Sequence, residues 1–323
     1  MSSKRELIAE ALLEGSDVRE RLLASGASEK VADYELDRAR KDPLFDAAMR
    51  LGRQLAKRDW TLQIHGKLAA LRPGGLTVPT VSQIDPERFF ADFYGANLPV
   101  IVTGLVDHWP ALTKWTLDYL DDVVGDAVVE VQAARNSASD YELAKDRHKR
   151  TVRMRDLTAA IRSQEQSNDF YLTAYNGTVN NEALAKLWDD LAPVSLLVPG
   201  AGRDGFFWLG PKGTLTPFHH DLTNNLLVQV LGRKRVHLVP SWEVGRMKNM
   251  LHCFSLRQPG DWDADDPSLP TRLSCTIGPG DALFLPVGWW HHVEALDPSI
   301  SMSFTNFAAE NDFYSDYPTD TRF

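Results

Sequence analysis

The sequence predicts a mainly β fold with added helices, in which an N-terminal helical region precedes a β domain. Two observations predict it. Apolar residues recur at helical spacing as far as Leu71, and from Val78 onward short apolar runs alternate with turns that contain Gly and Pro. Many short strands of this kind are typical of a sandwich or barrel, and a double-sheet jelly roll is one such architecture.

Residues 1–75 are the predicted helical region. Gly15 ends its first helix, and Ser28 begins its third. Asp42–Pro43 is typical of a cap followed by proline at the first helical position, and Arg72–Gly75 ends the long helix that follows. The region carries no set of residues suited to chemistry. We therefore expect it to cover an edge of the β domain or to form a homodimer interface.

Residues 76–307 are the predicted β domain, and residues 308–323 a poorly ordered or surface-draped tail. Strands are predicted over 98–102, 128–131, 170–172 and several short segments of 206–307, with helices beginning at Asp85–Pro86 and over 154–162.

Charge and composition narrow the function classes. The 323 residues carry a net charge of -9, which argues against a nucleic-acid backbone as the main partner because phosphate binding needs a basic surface. No apolar run approaches the roughly 20 residues of a membrane helix, and the N-terminus lacks the apolar core of a signal peptide. A cytoplasmic location is the resulting expectation. The two cysteines, Cys253 and Cys275, have no metal-binding spacing.

The segment Thr216–Asp221 contains the most informative candidate ligands. In an extended strand His219 and Asp221 share a face, while the intervening histidine points away. A third ligand must come from another strand, and His291 follows an apolar strand and turn that would bring it to a barrel mouth. The alternative is that these histidines are unrelated, since a lone His-x-Asp is common.

Two imidazoles and one carboxylate suit ferrous iron and leave three of six coordination positions open. A closed zinc site favours four protein ligands, usually including thiolates, and neither cysteine lies in these motifs. Trp289 and Trp290 are expected to form a dry wall beside the metal. Nearby in sequence, Lys234 faces opposite to its solvent-facing arginine neighbours on a predicted strand.

These residues resemble the jumonji C (JmjC) hydroxylases, and most closely their cupin-like branch that contains the asparaginyl hydroxylase called factor inhibiting HIF. The similarity covers about residues 78–307. The segments that carry it are Leu98–Leu105, Trp109–Pro110, Gly213–Asp221, Asn225–Gln229, Gly232–Arg235, Gly278–Asp281, Trp289–His292 and Asn306–Phe307.

The resemblance implies a double-stranded β-helix that uses Fe(II), 2-oxoglutarate and O2. It implies no catalytic side chain beyond the metal ligands. The implied roles are as follows: His219, Asp221 and His291 bind iron; Lys234 pairs with the far carboxylate of 2-oxoglutarate, with Thr216 and Tyr171 hydrogen-bonding it; Asn225 and Asn306 lie near its metal end. The alternatives are a turn role for Thr216, a core role for Tyr171, solvent exposure for Lys234 and strand-edge hydrogen bonding for the two asparagines.

The predicted function is hydroxylation of an amino-acid side chain in a peptide or protein. A free amino acid or small molecule as substrate, and a cupin-like module that binds a metal or ligand without turnover, remain alternatives. Lysine demethylation and tRNA modification are less favoured. The chain departs from the asparaginyl hydroxylase at Ala308, where that enzyme has an aromatic residue, so its substrate is not carried over.

Overall fold

The computed structural model describes residues 3–137, 141–174, 177–200, 204–262, 266 and 269–318. Within it the chain forms two compact units, Met1–Pro73 and Gly74–Phe323.

The first unit consists of helices α1 (Lys4–Glu14), α2 (Val18–Ala24), α3 (Glu29–Ala39) and α4 (Pro43–Ala70). Their ends follow the predicted signals. Gly15 ends α1 in the left-handed region at φ 67°, where glycine carries no Cβ penalty. Asp42 accepts a hydrogen bond from Leu44 N at the start of α4. Ser28 occupies the cap position of α3 but makes no side-chain cap bond.

A small apolar cluster, which includes Ala11, Leu22 and Ala32, joins the first helices of this unit. Helix α4 alternates apolar and charged side chains and leaves much of its surface exposed. Within the described part of the chain, no helix combines the length and the hydropathy that crossing a bilayer requires.

The second unit is built mainly of short strands. In chain order it contains β1 (Thr80–Ser82), α5 (Pro86–Phe89), β2 (Val100–Thr103), α6 (Ala111–Lys114), α7 (Leu117–Val124), β3 (Val128–Ala133), α8 (Lys145–His148), β4 (Lys149–Arg153), α9 (Met154–Ser163), β5 (Phe170–Tyr171), α10 (Gly177–Ala183), β6 (Phe206–Gly210), β7 (Leu215–His220), β8 (Asn225–Leu231), β9 (Lys234–Val239), β10 (Asn249–Leu251), β11 (Phe254–Ser255), β12 (Leu273–Ile277), β13 (Ala282–Leu285), β14 (Trp290–Ala295) and β15 (Ser299–Phe304).

Two six-stranded sheets form the double-stranded β-helix. Sheet I has the order β1-β2-β13-β8-β15-β6, and sheet II the order β10-β11-β7-β14-β9-β12. A smaller sheet has the order β4-β3-β5. The fold is therefore a cupin-type jelly roll preceded by helices, and the predicted fold class is confirmed.

The central strands β2, β8 and β13 of sheet I separate two apolar layers, because successive side chains point to opposite faces. Ile101, Leu227 and Leu283 point inward and pack with residues of sheet II such as Val236 and Leu238. Their neighbours Val100, Leu226 and Phe284 point outward and pack in the larger cluster that includes the helices of this unit. The alternation of side chains along each strand thus decides which residues face the interior between the sheets, and this holds for polar residues as well.

Candidate metal centre

His219, Asp221 and His291 come together as a group able to hold one ion. Strands β7 and β14 are antiparallel, and His219 lies directly opposite His291. Their ring centroids are 4.2 Å apart. Asp221 follows the end of β7, with one carboxylate oxygen 3.6 Å from His219 Nε2 and the other 3.9 Å from His291 Nε2. Among the described residues, no further His, Cys, Asp or Glu joins this group.

An irregularity in the β7–β14 ladder sets which side chains share this face. His219 pairs with His291, whereas the next pair is Thr216 with Val293. Strand β7 thus has one extra residue, a bulge that contains Pro217, whose missing N–H is tolerated there. The bulge places Thr216 and His219, three residues apart, on one face. The next cross-strand pair along β14 on this face is Ala295 with Lys234 of β9.

Both histidines are oriented in the same way by their own backbone. His219 Nδ1 lies 2.9 Å from Pro217 O, and His291 Nδ1 lies 3.1 Å from Trp289 O. Because a carbonyl only accepts, each Nδ1 carries the proton and each Nε2 keeps its lone pair toward Asp221. Burial, reinforced by His219, lowers the pKa of His291 to about 4. This imidazole is therefore neutral at neutral pH, as a metal ligand must be.

The Asp221 carboxylate is kept ionised by its surroundings. Burial alone would raise its pKa, but the imidazoles of His291 and His219 and a hydrogen bond from Asn225 hold the pKa below its usual value. That bond runs from Asn225 Nδ2 to Asp221 Oδ2 over 3.0 Å. The Asp221 side chain keeps 24% of its surface exposed, which leaves a route by which an ion can enter.

Lys234 is a buried cation on the same face of sheet II. It is 2% exposed, and its Nζ donates to Tyr171 Oη over 3.1 Å. Burial lowers its pKa to about 7 and raises that of Tyr171. Among the described residues, no carboxylate lies within ion-pair distance of this ammonium, so its position lacks the partner that a buried charge requires. Its arginine neighbours pair with acidic residues at the surface, as in Arg235–Glu294.

The two predicted asparagines differ in placement. Asn225 lies at the start of β8, pairs with Leu285 and therefore faces the interior beside Asp221. Asn306 donates its amide hydrogen to Val198 O over 2.7 Å and lines a cavity of about 210 Å³ together with Trp109 and Trp188. The structure therefore brings Asn225 to the metal group, while no described contact brings Asn306 there. The role of Asn306 toward a co-substrate stays a prediction.

The expected wall of two tryptophans is wrong for Trp290. Since His291 points inward, its neighbour Trp290 points outward and packs with Phe218 and Met247. Trp289 is fully buried in the inner cluster, where its indole N–H donates to Asn97 O over 2.9 Å. Of these two tryptophans, Trp289 is the one that can contribute to a dry interior.

Three buried polar residues around Tyr171 escaped the sequence analysis. Gln132 lies directly across the β3–β5 pair from Tyr171. The Arg135 guanidinium lies 5.3 Å from the centroid of the Tyr171 ring and donates to Glu142 and Leu215 O. The Gln132 amide, Arg135 Nε and Nη1 and the Thr173 hydroxyl are buried without a hydrogen-bond partner. Such groups normally bind water or a ligand. No sequence motif marks them, and only the register of the small sheet brings them together.

A family model described as a cupin-like domain matches residues 86–313. The chain belongs to this cupin-like domain family.

Three relatives are similar to this cupin-like chain over about two thirds of its length. It is 31% identical to lysine-specific demethylase JMJ30 of Arabidopsis thaliana, over 69% of this chain and 53% of that protein. It is 30% identical to Jumonji C domain-containing protein 5 of Drosophila melanogaster, over 70% of this chain and 59% of that protein. It is 26% identical to tRNA wybutosine-synthesizing protein 5 of Gallus gallus, over 67% of this chain and 72% of that protein.

The chain spans little more than half the length of the two JmjC relatives named above. The names of these relatives refer to both lysine demethylation and tRNA modification. The relationship therefore establishes the domain and leaves the substrate to be argued from the site.

The site can be tested with Lys234→Met, which keeps the length of the side chain and removes its charge. With a folded pKa of about 7 against an ordinary 10.5, the unfolded chain binds more protons between these values. Lys234 then destabilises the fold fully below pH 7 and progressively less as the pH rises. In the metal-free protein, the rise in melting temperature of the variant over wild type should be larger at about pH 6.5 than at about pH 9.5. Calorimetry measures both values.

Arg235→Met, which changes an exposed neighbour on the same strand, should show no such pH-dependent gain. A Lys234→Met gain that is equal at the two pH values, or larger at the higher one, would contradict a buried, unpaired ammonium.

Proposed function

We propose that this cupin-like chain is an Fe(II)- and 2-oxoglutarate-dependent oxygenase that hydroxylates an amino-acid side chain in a peptide or protein. One observation carries the proposal. The three-ligand group His219, Asp221 and His291 shares the interior face of sheet II with Lys234, a buried cation with no carboxylate partner in the described residues. An open metal site beside an unpaired ammonium fits a metal-bound dicarboxylate.

The donor set fits iron. Two imidazole nitrogens and one carboxylate are the ligand types of non-haem Fe(II) oxygenases, and three ligands leave positions open. When bound, iron would supply the oxygen chemistry, in which O2 and 2-oxoglutarate give succinate and CO2, with one atom of O2 entering succinate and the other a C–H bond of the substrate. His219, Asp221 and His291 would hold the iron.

The remaining residues of the site bind and orient. Lys234 would neutralise the far carboxylate of 2-oxoglutarate, with Tyr171 Oη donating to it from the position it occupies 3.1 Å from Lys234 Nζ. Thr216 faces the same interior because of the β7 bulge and would add a hydroxyl donor. Asn225 keeps Asp221 oriented through its hydrogen bond.

The unpartnered groups near Tyr171 lie at the end of the interior that we assign to the far carboxylate of 2-oxoglutarate. Arg135 is already balanced by Glu142 at 3.0 Å, and 2-oxoglutarate would balance Lys234. What remains is donors from Gln132, Arg135 and Thr173, together with the Gln132 amide oxygen. These groups can bind ordered water or the oxygens of that carboxylate, and the preference for a peptide or protein substrate rests on the resemblance and on the acidic charge. A free amino acid or small molecule is the alternative substrate class, and mass spectrometry of peptide libraries for +16 products would separate the two.

The finer assignment to the branch with the asparaginyl hydroxylase also remains our proposal. The acidic net charge of -9 favours a peptide over a nucleic acid as partner, although one relative is named for tRNA modification. A non-catalytic cupin-like module would bind Fe(II) and 2-oxoglutarate without turnover. Anaerobic titration with both should produce a visible charge-transfer band, and admission of air should then produce succinate only if the chain is an enzyme.

His219→Ala and Asp221→Ala should each abolish the formation of succinate from 2-oxoglutarate and Fe(II), because two ligands hold the ion too weakly. Succinate is measured by chromatography, and thermal melting confirms that the variants fold. His237→Ala is the matched control, since His237 pairs with His292 and lies on the outer face of sheet II. It should turn over at the wild-type rate. Undiminished succinate in His219→Ala would end the proposal.

Binding of 2-oxoglutarate to the Mn(II)-loaded protein should be accompanied by uptake of close to one proton at about pH 8.5, because Lys234, with a pKa of about 7, is mostly neutral before binding and is charged beside a carboxylate. Isothermal titration calorimetry in buffers of different ionisation enthalpy measures this uptake. Lys234→Arg, which is always protonated, should take up none. Absence of uptake in the wild-type protein would show that another group binds the carboxylate.

We also propose that the N-terminal helices form a homodimer interface. Helix α4 exposes Leu44, Leu51 and Leu55 along one side, and such a stripe is typical of helix pairing. Light scattering should give a dimer mass for the wild-type chain and a monomer mass for a Leu51→Gln, Leu55→Gln variant. The exposed charge change Arg53→Gln should leave the dimer intact. A monomeric wild-type chain would remove this part of the proposal without touching the metal site.

A further inference from the structure

The side chain of Asn311, in the segment that follows β15, is fully engaged. Its Oδ1 accepts hydrogen bonds from Asn224 N over 2.8 Å and Asn224 Nδ2 over 3.0 Å. Its Nδ2 donates to Asn224 O over 3.1 Å and to Thr305 O over 2.7 Å. One carboxamide thus pairs with both backbone groups of Asn224, as a neighbouring strand would, and fixes it to the end of β15.

Asn224 in turn joins the two segments that carry the metal ligands. Its Oδ1 accepts from Val287 N over 2.8 Å, in the turn that leads to His291. The next residue in this turn, Gly288, donates its N–H to Asp221 O over 3.2 Å. The loop that contains Asp221 and the turn before His291 are therefore joined at two points, and Asn311 is bonded to one of them.

The segment that contains Asn311 is itself attached to the domain. Ala308 N donates to Leu196 O over 3.0 Å, and Tyr94 Oη donates to Glu310 O over 2.7 Å. Tyr317 Oη lies 3.3 Å from Nε2 of His220, the neighbour of a metal ligand. The segment is thus bonded at several points, unlike the poorly ordered tail that was one expectation; residues 319–323 lie outside the described residues.

We propose that residues 308–317, here called the C-terminal strap, position the metal ligands, with Asn311 as the positioning residue. The inference rests on the proposed metal site. Asp221 lies outside any strand, and the backbone bond from Gly288 is its one described backbone link to the turn before His291. The path from Asn311 through Asn224 to Val287 adds a second constraint between these two segments, while Asn225 orients the carboxylate directly.

Asn311→Ala removes the hydrogen bonds that hold Asn224 in place. Its effect should be measurable before any metal or co-substrate is added. In the metal-free full chain, amide hydrogen exchange at Asn224 and Val287 should accelerate by about tenfold or more, as the loss of one or more hydrogen bonds implies. Cobalt(II), titrated alone and followed by its visible absorption, should bind about 10–100-fold more weakly, the usual effect of removing a residue that supports a ligand.

Asn311→Asp is the conservative variant. Its carboxylate still accepts from Asn224 N and Nδ2, but an oxygen replaces the amide beside Asn224 O and Thr305 O, so this variant should also bind cobalt more weakly than wild type; it carries the test if Asn311→Ala folds poorly. Asp312→Asn is the control within the strap, because among the described residues the Asp312 carboxylate bonds Ser315 alone. It should keep wild-type exchange and wild-type cobalt affinity.

The outcomes separate the strap from the metal site. Wild-type protein that binds no cobalt would overturn the proposed metal site. Cobalt binding by wild type with unchanged affinity in both Asn311 variants would overturn the strap alone. The strap would be overturned in that case even if amide exchange accelerates, since Asn311 would then have only a structural role.

Discussion

The antiparallel pairing of β7 with β14 is the constraint on which the site depends. It sets His219 opposite His291, and through β14 it carries the same face to Lys234 on β9. The one-residue bulge at Pro217 then adds Thr216 to that face. A regular ladder would turn Thr216 outward and remove its hydroxyl from the face that carries the metal ligands. The bulge therefore decides which side chains line the site.

Burial of Lys234 away from any described carboxylate is the feature of the interior that favours binding of an anion. A buried ammonium without a counter-ion is unfavourable, which is why burial lowers the pKa of Lys234 to about 7. The charge of nearby Arg135 is already balanced by Glu142, so Arg135 does not need a bound anion as its counter-ion. Burial disfavours the charged form of Lys234, and a bound carboxylate would favour that form again. Binding and protonation are thereby linked at Lys234.

The sequence predicted what local rules decide. Periodicity and caps predicted the helices of the first unit, and the i, i+2 rule put His219 and Asp221 together. It failed where placement depends on non-local register. Trp290 points outward because β14 begins at this residue and alternates with inward-facing His291, and pairing with β7 and β9 sets that beginning. Gln132 meets Tyr171 only because two short strands pair. Asn306 lies beyond the end of β15, where alternation no longer determines direction, and its amide donates to the carbonyl of Val198, which is distant in sequence; its role toward a co-substrate stays a prediction.

Asparagine side chains fasten the loops around the centre for a physical reason. Loops outside the strands leave backbone N–H and C=O groups without ladder partners, and each buried group of this kind needs one. A carboxamide offers one donor group and one acceptor and so can replace a peptide group of a neighbouring strand. Asn97 bonds Val287 O and the Trp289 indole, and Asn224 bonds Val287 N. The turn before His291 is thereby held from two sides. An apolar contact would fill the same space but would not fix direction, and direction is what a three-ligand centre requires.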